Sequence, residues 1–320
     1  MPLHPYITNA LKLGESLPTV DKLAIGEARA QAKARYAHTA ARFPVADVRD
    51  IVIPGGAGNG IRARVYTPIG TGPFPLLVFF HGSGFVLLDL DTHDAICRDL
   101  CATASCTVVS VDYRLAPEHP FPAAPDDCLA AVRYLASHAP ELGADPTRIA
   151  VAGDSAGGCL AAITALRIRD EGGPRLCAQL LVYPVTDYPD PPTSTHEAFA
   201  EGYGLTRNVL RWYWRHYLPD PSPADIVRAS PLRATSLAGL PPALVQTAEY
   251  DVLRDEGERY ADLVRAAGVD VRLTRCVGMN HGFLKYVGVL PEADTAAHEA
   301  SAWLRERFNE ATMLPPAAGG

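Results

Sequence analysis

An α/β fold with a mostly parallel central sheet flanked by helices is what this sequence predicts, and three observations carry the prediction. Strand-like and helix-like segments alternate along most of the 320 residues, the rhythm of strands joined by crossover helices. The strand-like segments are short, continuous apolar runs, the pattern of strands buried on both faces. The composition, 48% hydrophobic and 20% charged, supports one large domain with an additional element.

The elements follow in order. Residues 1–45 read as helical without a strand, Ala-rich and carrying Lys33 and Arg35. Residues 76–80 form the first apolar run and 107–111 the next, which ends in Asp112-Tyr113-Arg114. Between them Cys97 and Cys101 lie four apart on a helix-like stretch. Residues 124–138 are helical, with Leu129, Val132 and Leu135 spaced to share a face. Residues 149–152 read as a strand and 156–169 as the helix after it. Residues 179–183 continue the strand series and Pro184 stops it. Residues 186–225 then break the rhythm with prolines and the run Trp212-Tyr213-Trp214. A long insertion after a strand is a lid or a disordered linker, and adjacent aromatics argue for order. The strand 243–248 follows Pro241-Pro242, the helix 254–267 stops at Gly268, and 269–276 is the last strand. An amphipathic helix, 296–309, closes the chain, and the tail 313–320 is expected to fray.

The composition also excludes several function classes. The net charge is −7, and no Lys/Arg run or aromatic-interleaved basic patch points to nucleic acid. The longest apolar runs are strand-length, too short for membrane insertion. Residues 1–19 contain Pro2, Pro5, Glu15 and Pro18 rather than an apolar signal segment, so a cytoplasmic protein is expected. Seven cysteines, an odd number with no Cys-x-x-Cys pair, read as buried free thiols rather than disulfides or a zinc site. Nothing calls for a cofactor or a metal.

The chemistry centres on Gly153-Asp154-Ser155-Ala156-Gly157, which joins a strand-like run to a helix-like one. There a serine is thrust out at the strand end on a strained backbone that only small neighbours tolerate, Gly153 and Gly157 being the tight positions. A tight turn with a serine near the helix start is the plainer reading. A serine hydroxyl needs a base to take its proton and an acid to orient the base, in the chain order serine, acid, histidine for a sheet of this kind. Of the ten histidines, His196, His216, His281 and His298 follow Ser155. His281 lies directly after the last strand, in Gly278-Met279-Asn280-His281-Gly282-Phe283, and is the expected base. Glu249, Asp251 and Asp255 compete for the acid. Asp251, in the loop after strand 243–248, is favoured, while Asp255 suits the first turn of the next helix. The oxyanion needs amide donors. Ala156 supplies one, and the loop His81-Gly82-Ser83-Gly84-Phe85 after the first strand is placed to supply others.

Taken together, these motifs resemble the bacterial hormone-sensitive-lipase family of α/β-hydrolase esterases, from about residue 70 to the C-terminus. The resemblance rests on His81-Gly82-Ser83-Gly84-Phe85, on Asp112-Tyr113-Arg114-Leu115-Ala116-Pro117-Glu118 with Phe121-Pro122-Ala123-Ala124, on Gly153-Asp154-Ser155-Ala156-Gly157-Gly158, on the Asp251 segment and on His281-Gly282-Phe283. It implies the α/β-hydrolase fold, with Ser155 as nucleophile, Asp251 as acid and His281 as base. It implies the amides of Ser83, Gly84 and Ala156 as the oxyanion hole. A helical cap would come from residues 1–45 and 186–225, over a catalytic domain of 46–185 and 226–312. Two departures stand out. Ser83 occupies a position where the family usually has glycine, and a positive φ there would strain it or re-aim its amide. Val252 replaces a frequent proline, which should loosen the turn without touching the chemistry.

The expected reaction is hydrolysis of short- to medium-chain acyl esters through an acyl-enzyme, with a small-molecule ester as the only partner and a homodimer left open. Phe85, Phe199, Leu205, Trp212 and Trp214 are candidates to line the pocket, with Tyr213 and Leu210 beside them. The rival readings are an amidase, lactonase or small peptidase with the same machinery, and a hydrolase-fold binding protein without catalysis.

Overall fold

The computed structural model describes residues 1–36 and 42–313. Two helices, α1 (Pro5–Gly14) and α2 (Ile25–Ala34), precede a single sheet. Its strands are β1 (Asp47–Pro54), β2 (Gly60–Thr67), β3 (Phe74–Phe80), β4 (Thr107–Val111), β5 (Ala144–Asp154), β6 (Leu176–Val182), β7 (Ala243–Tyr250) and β8 (Val271–Asn280). They lie in the order β1-β2-β4-β3-β5-β6-β7-β8. The β1–β2 and β2–β4 pairs are antiparallel and every later pair is parallel. The crossovers are α3 (Asp94–Ala104), α4 (Ala123–Ser137), α5 (Ala156–Glu171) and α9 (Arg254–Ala266), and α10 (Pro291–Met313) closes the chain. Between β6 and β7 the chain forms α6 (Ser194–Ala198), α7 (Arg207–Tyr217) and α8 (Pro223–Ala229).

The period-2 alternation of a strand sorts the core into two layers. Leu76, Val78 and Phe80 of β3 pack with α4, α5 and α9, while Leu77 and Phe79 pack with α3 and α10. Cys97 and Cys101 are buried in that second layer. Parallel pairing, such as Val78 opposite Val151 and Leu181 opposite Val245, brings the C-terminal ends of β3, β5, β7 and β8 to one edge. Among the described residues no helix is long and apolar enough to cross a membrane.

Several differences from the sequence reading have physical causes. The β1–β2 hairpin is absent from that reading. Its strands alternate Val48, Ile51 and Ile53 with charged residues, and most of β1 faces solvent. A search for continuous apolar runs passes over such a strand. β8 runs on to Asn280, so His281 follows the strand with no loop between. The closing helix starts at Pro291, earlier than 296. The insertion boundary drawn at 225 falls inside α8, which runs to Ala229. The tail expected to fray lies outside the described residues beyond Met313.

Candidate active site

β5 ends at Asp154 and α5 begins at Ala156, so Ser155 is the whole turn between them. Its φ of 55° and ψ of −118° put a residue with a Cβ where few L-residues go. Three backbone bonds hold it there. Its N–H donates to the Val182 carbonyl at 2.8 Å, and its carbonyl accepts from Cys159 and Val185 at 3.1 Å each. A Cβ on Gly157 would run into the Phe80 carbonyl oxygen, so only glycine lets α5 come this close to β3.

The structure brings Ser155, His281 and Asp251 into one line. His281 Nδ1 is 2.7 Å from Asp251 Oδ2, and its Nε2 is 2.8 Å from Ser155 Oγ. With the proton on Nδ1 donated to the carboxylate, the Nε2 lone pair faces the serine hydroxyl. Asp251 is 2% exposed and accepts the Leu253 N–H through its other oxygen at 3.0 Å, so both of its oxygens are engaged. The competing carboxylates are occupied elsewhere. Glu249 accepts the Gly278 N–H at 2.7 Å. Asp255 accepts the Ser194 hydroxyl and, at 3.1 Å, the Thr195 N–H, which anchors α6 beside the Asp251 loop. Val252 is buried, and its carbonyl accepts the Thr195 hydroxyl at 2.9 Å.

The glycine loop passes beneath this line. The Gly82 N–H donates to Asp154 Oδ1 at 2.8 Å and is thereby used up, which leaves the amides of Ser83 and Gly84 as the loop's candidates. Ala156 opens α5, where first-turn N–H groups have no helical carbonyl behind them. Ser83 has a φ of 97°, Gly84 65° and Phe85 65°, so the loop holds two non-glycine residues in a left-handed backbone. The Tyr113 hydroxyl donates to the His81 carbonyl at 2.6 Å and its ring stacks on His81 at 4.5 Å. Arg114 forks onto Asp127 at 2.8 Å, and Asp127 in turn accepts the Gly56 N–H at 2.8 Å. The Asp112–Glu118 motif therefore braces the loop without touching the serine.

His93 is a residue the sequence reading misses. It is fully buried, with Nε2 3.2 Å from Asp154 Oδ1, the same oxygen that accepts Gly82. Burial drives the Asp154 carboxyl upward, and His93 with the Gly82 amide more than offsets this and holds it below its ordinary value. His81 is lowered to about 4 by burial and by His93 beside it. The serine–acid–histidine order looks only downstream of Ser155, which is why His93 escapes it. The signal available was a histidine in Asp91-Thr92-His93-Asp94, soon after the glycine loop.

The expected pocket residues divide. Phe85 stacks on Tyr217 with centroids 3.7 Å apart, and Trp214 meets Phe85, Tyr217 and Tyr188 edge-on. Leu210, Trp214 and Tyr217, at i, i+4 and i+7, form the face by which α7 packs on the body. Trp212 is buried against Tyr213 and His216. Phe85, Trp212 and Trp214 are thus packed within the core cluster. Leu205 is half-buried beside the same core cluster, and Phe199 joins Tyr203 and Tyr250 with Arg254 over its ring. Tyr213 meets the glycine loop at Gly84, where a Cβ would overlap its ring.

A family model described as alpha/beta hydrolase fold matches residues 77–285. The carboxylic ester hydrolase LipN of Mycobacterium tuberculosis is 51% identical over 245 residues, 74% of this chain and 64% of that protein. The carboxylesterase NlhH of the same organism is 40% identical over 311 residues, 95% of this chain and 97% of that one. Among solved structures, an ester-hydrolase from the metagenome of Lake Arreo superposes with a TM-score of 0.91 at 40% identity, covering 96% of this chain and 99% of that chain.

Proposed function

The chain belongs to the α/β-hydrolase fold family, in its hormone-sensitive-lipase-like branch, and from that premise we propose that it is a serine carboxylesterase acting on short- to medium-chain acyl esters. The observation that carries this reading is the continuous hydrogen-bonded line from Asp251 through His281 to Ser155, at 2.7 and 2.8 Å. The esterase names of the relatives support the substrate class. The acyl length rests on the family resemblance.

In this reading the Ser155 hydroxyl attacks the ester carbonyl while His281 Nε2 takes its proton. Asp251 keeps the imidazole in the tautomer that leaves Nε2 free and stabilises the imidazolium that forms. The amides of Ser83, Gly84 and Ala156 receive the oxyanion of the tetrahedral intermediate, and one such donor is worth about 3 kcal/mol of transition-state stabilisation. Collapse breaks the bond to the alkoxy oxygen, which leaves as the alcohol with the proton from His281. Water then attacks the acyl-Ser155 ester with His281 as base, the acid is released, and the serine regains its proton. The side chains of residues 1–36 and of α6–α8 form the cap over this centre. Seven unpaired thiols support a reducing compartment, the cytoplasm.

A series of p-nitrophenyl esters from acetyl to palmitoyl tests the proposal. The expected kcat/KM peaks between butyryl and octanoyl and vanishes in Ser155→Ala. A peak at palmitoyl would discard the acyl class. Absence of turnover across the series would discard the esterase.

A further inference from the structure

Ser83 stands where the family usually has glycine, with a φ of 97° that penalises its Cβ. A non-glycine residue in such a region is strained and persists only where its surroundings enforce it. Phe85, the next strained residue, is enforced by its stack on Tyr217 and by its carbonyl, which accepts the Ala116 N–H at 3.0 Å. The Ser83 carbonyl accepts from Val86 and Leu87 at 3.3 and 3.2 Å, which closes the far side of the turn. Neither set of bonds bears on the Ser83–Gly84 peptide from the cap side.

Tyr213 does. It projects from α7, and its ring fills the space that any side chain on Gly84 would need, so ring and backbone are in direct contact. Burial raises its phenol to about 12. α7 has the leverage to hold this contact, because Leu210, Trp214 and Tyr217 are each no more than 3% exposed. Its start is also fixed, by the Thr206 hydroxyl accepting the Val209 N–H at 3.1 Å.

We propose that Tyr213 is a positioning residue for the oxyanion hole: the cap helix presses its ring onto the backbone at Gly84 and so holds the amides of Ser83 and Gly84 in aim. The proposal rests on the reading of those amides as oxyanion donors. The cap then completes the oxyanion hole as well as covering the substrate.

The test is kinetics of the full chain and of Tyr213→Leu and Tyr213→Phe, with a p-nitrophenyl ester as substrate. A trifluoromethyl ketone serves as the probe of oxyanion binding. Tyr213→Leu is expected to lower kcat by about tenfold or more and to weaken the ketone by the same factor, with KM little changed. Tyr213→Phe, which keeps the ring, should recover most of that loss. Unchanged kcat and ketone affinity in Tyr213→Leu, a change confined to KM, or a Tyr213→Phe variant as impaired as Tyr213→Leu would each overturn the proposal. If Tyr213→Leu does not fold, Tyr213→Met decides by the same criterion. A wild-type chain without turnover would instead remove the esterase reading, and this proposal with it.

Discussion

Asp251 illustrates how one carboxylate out of three is committed to a histidine. Glu249, two residues earlier, is pinned by the Gly278 amide, and Asp255 is pinned by α6. Only Asp251 reaches His281, with its second oxygen tied to Leu253. Asp251→Asn is therefore expected to lower kcat by about 10⁴-fold through the wrong imidazole tautomer, while Glu249→Gln, which retains the acceptor for Gly278, leaves kcat unchanged. Steady-state kinetics on the two variants separates them, and equal losses would mean that the acid is misassigned. His93 makes a different prediction. Its partner Asp154 is 4% exposed and loses the imidazole beside its carboxylate if His93 is removed. His93→Leu should cost about 3 kcal/mol of stability by leaving a buried carboxylate unpaired, measured by chemical unfolding. It should also lower kcat, since Asp154 holds the Gly82 amide. A variant as stable as the parent would show that the pair is dispensable.

At the scale of elements, the strands and helices that surround the serine were legible in the sequence because their apolar runs are continuous and their stops are Gly or Pro. β4 lies at 107–111 and α5 begins at Ala156, as their patterns predict. The β1–β2 hairpin was not legible, because an edge pair facing solvent carries Arg49, Asp50, Arg62 and Arg64 among its apolar residues. Nor was the attachment of α2 to the body. Arg29 donates to the carbonyls of Val86 and Ala116 at 3.0 and 3.1 Å and forks onto Glu118 at 2.8 and 2.7 Å. That single residue ties the N-terminal helices to the segment that follows the glycine loop, a contact no local pattern encodes. The Arg29 guanidinium holds the Glu118 carboxyl down at about 2 against an ordinary 4.5. A carboxyl lowered in the folded state adds stability that is complete above pH 4.5 and disappears as the pH falls toward 2. Glu118 is half exposed, so screening limits the contribution to under about 1 kcal/mol. Melting temperatures of the parent and of Glu118→Gln should differ near neutrality and converge in acid. A difference that persists at pH 2 would place the effect in packing rather than charge.

On the scale of the whole molecule, the parallel sheet does the assembling. Strand ends far apart in sequence reach one edge, where β5 presents Ser155, β7 leads into Asp251, β8 leads into His281 and β3 leads into the glycine loop. That convergence is why the residues that meet at this edge could be grouped from motifs and chain order alone. Their supports could not, because His93, Tyr213 and Arg29 act across long stretches of chain with no spacing rule to announce them. The central claim is that this assembly makes Ser155 a nucleophile. Intact-protein mass spectrometry after exposure to a fluorophosphonate, followed by peptide mapping, tests it most directly. The account predicts one adduct per chain, located on Ser155, absent from Ser155→Ala and strongly slowed in His281→Ala. No adduct on the folded parent, or an adduct mapped to another residue and retained in Ser155→Ala, would contradict it.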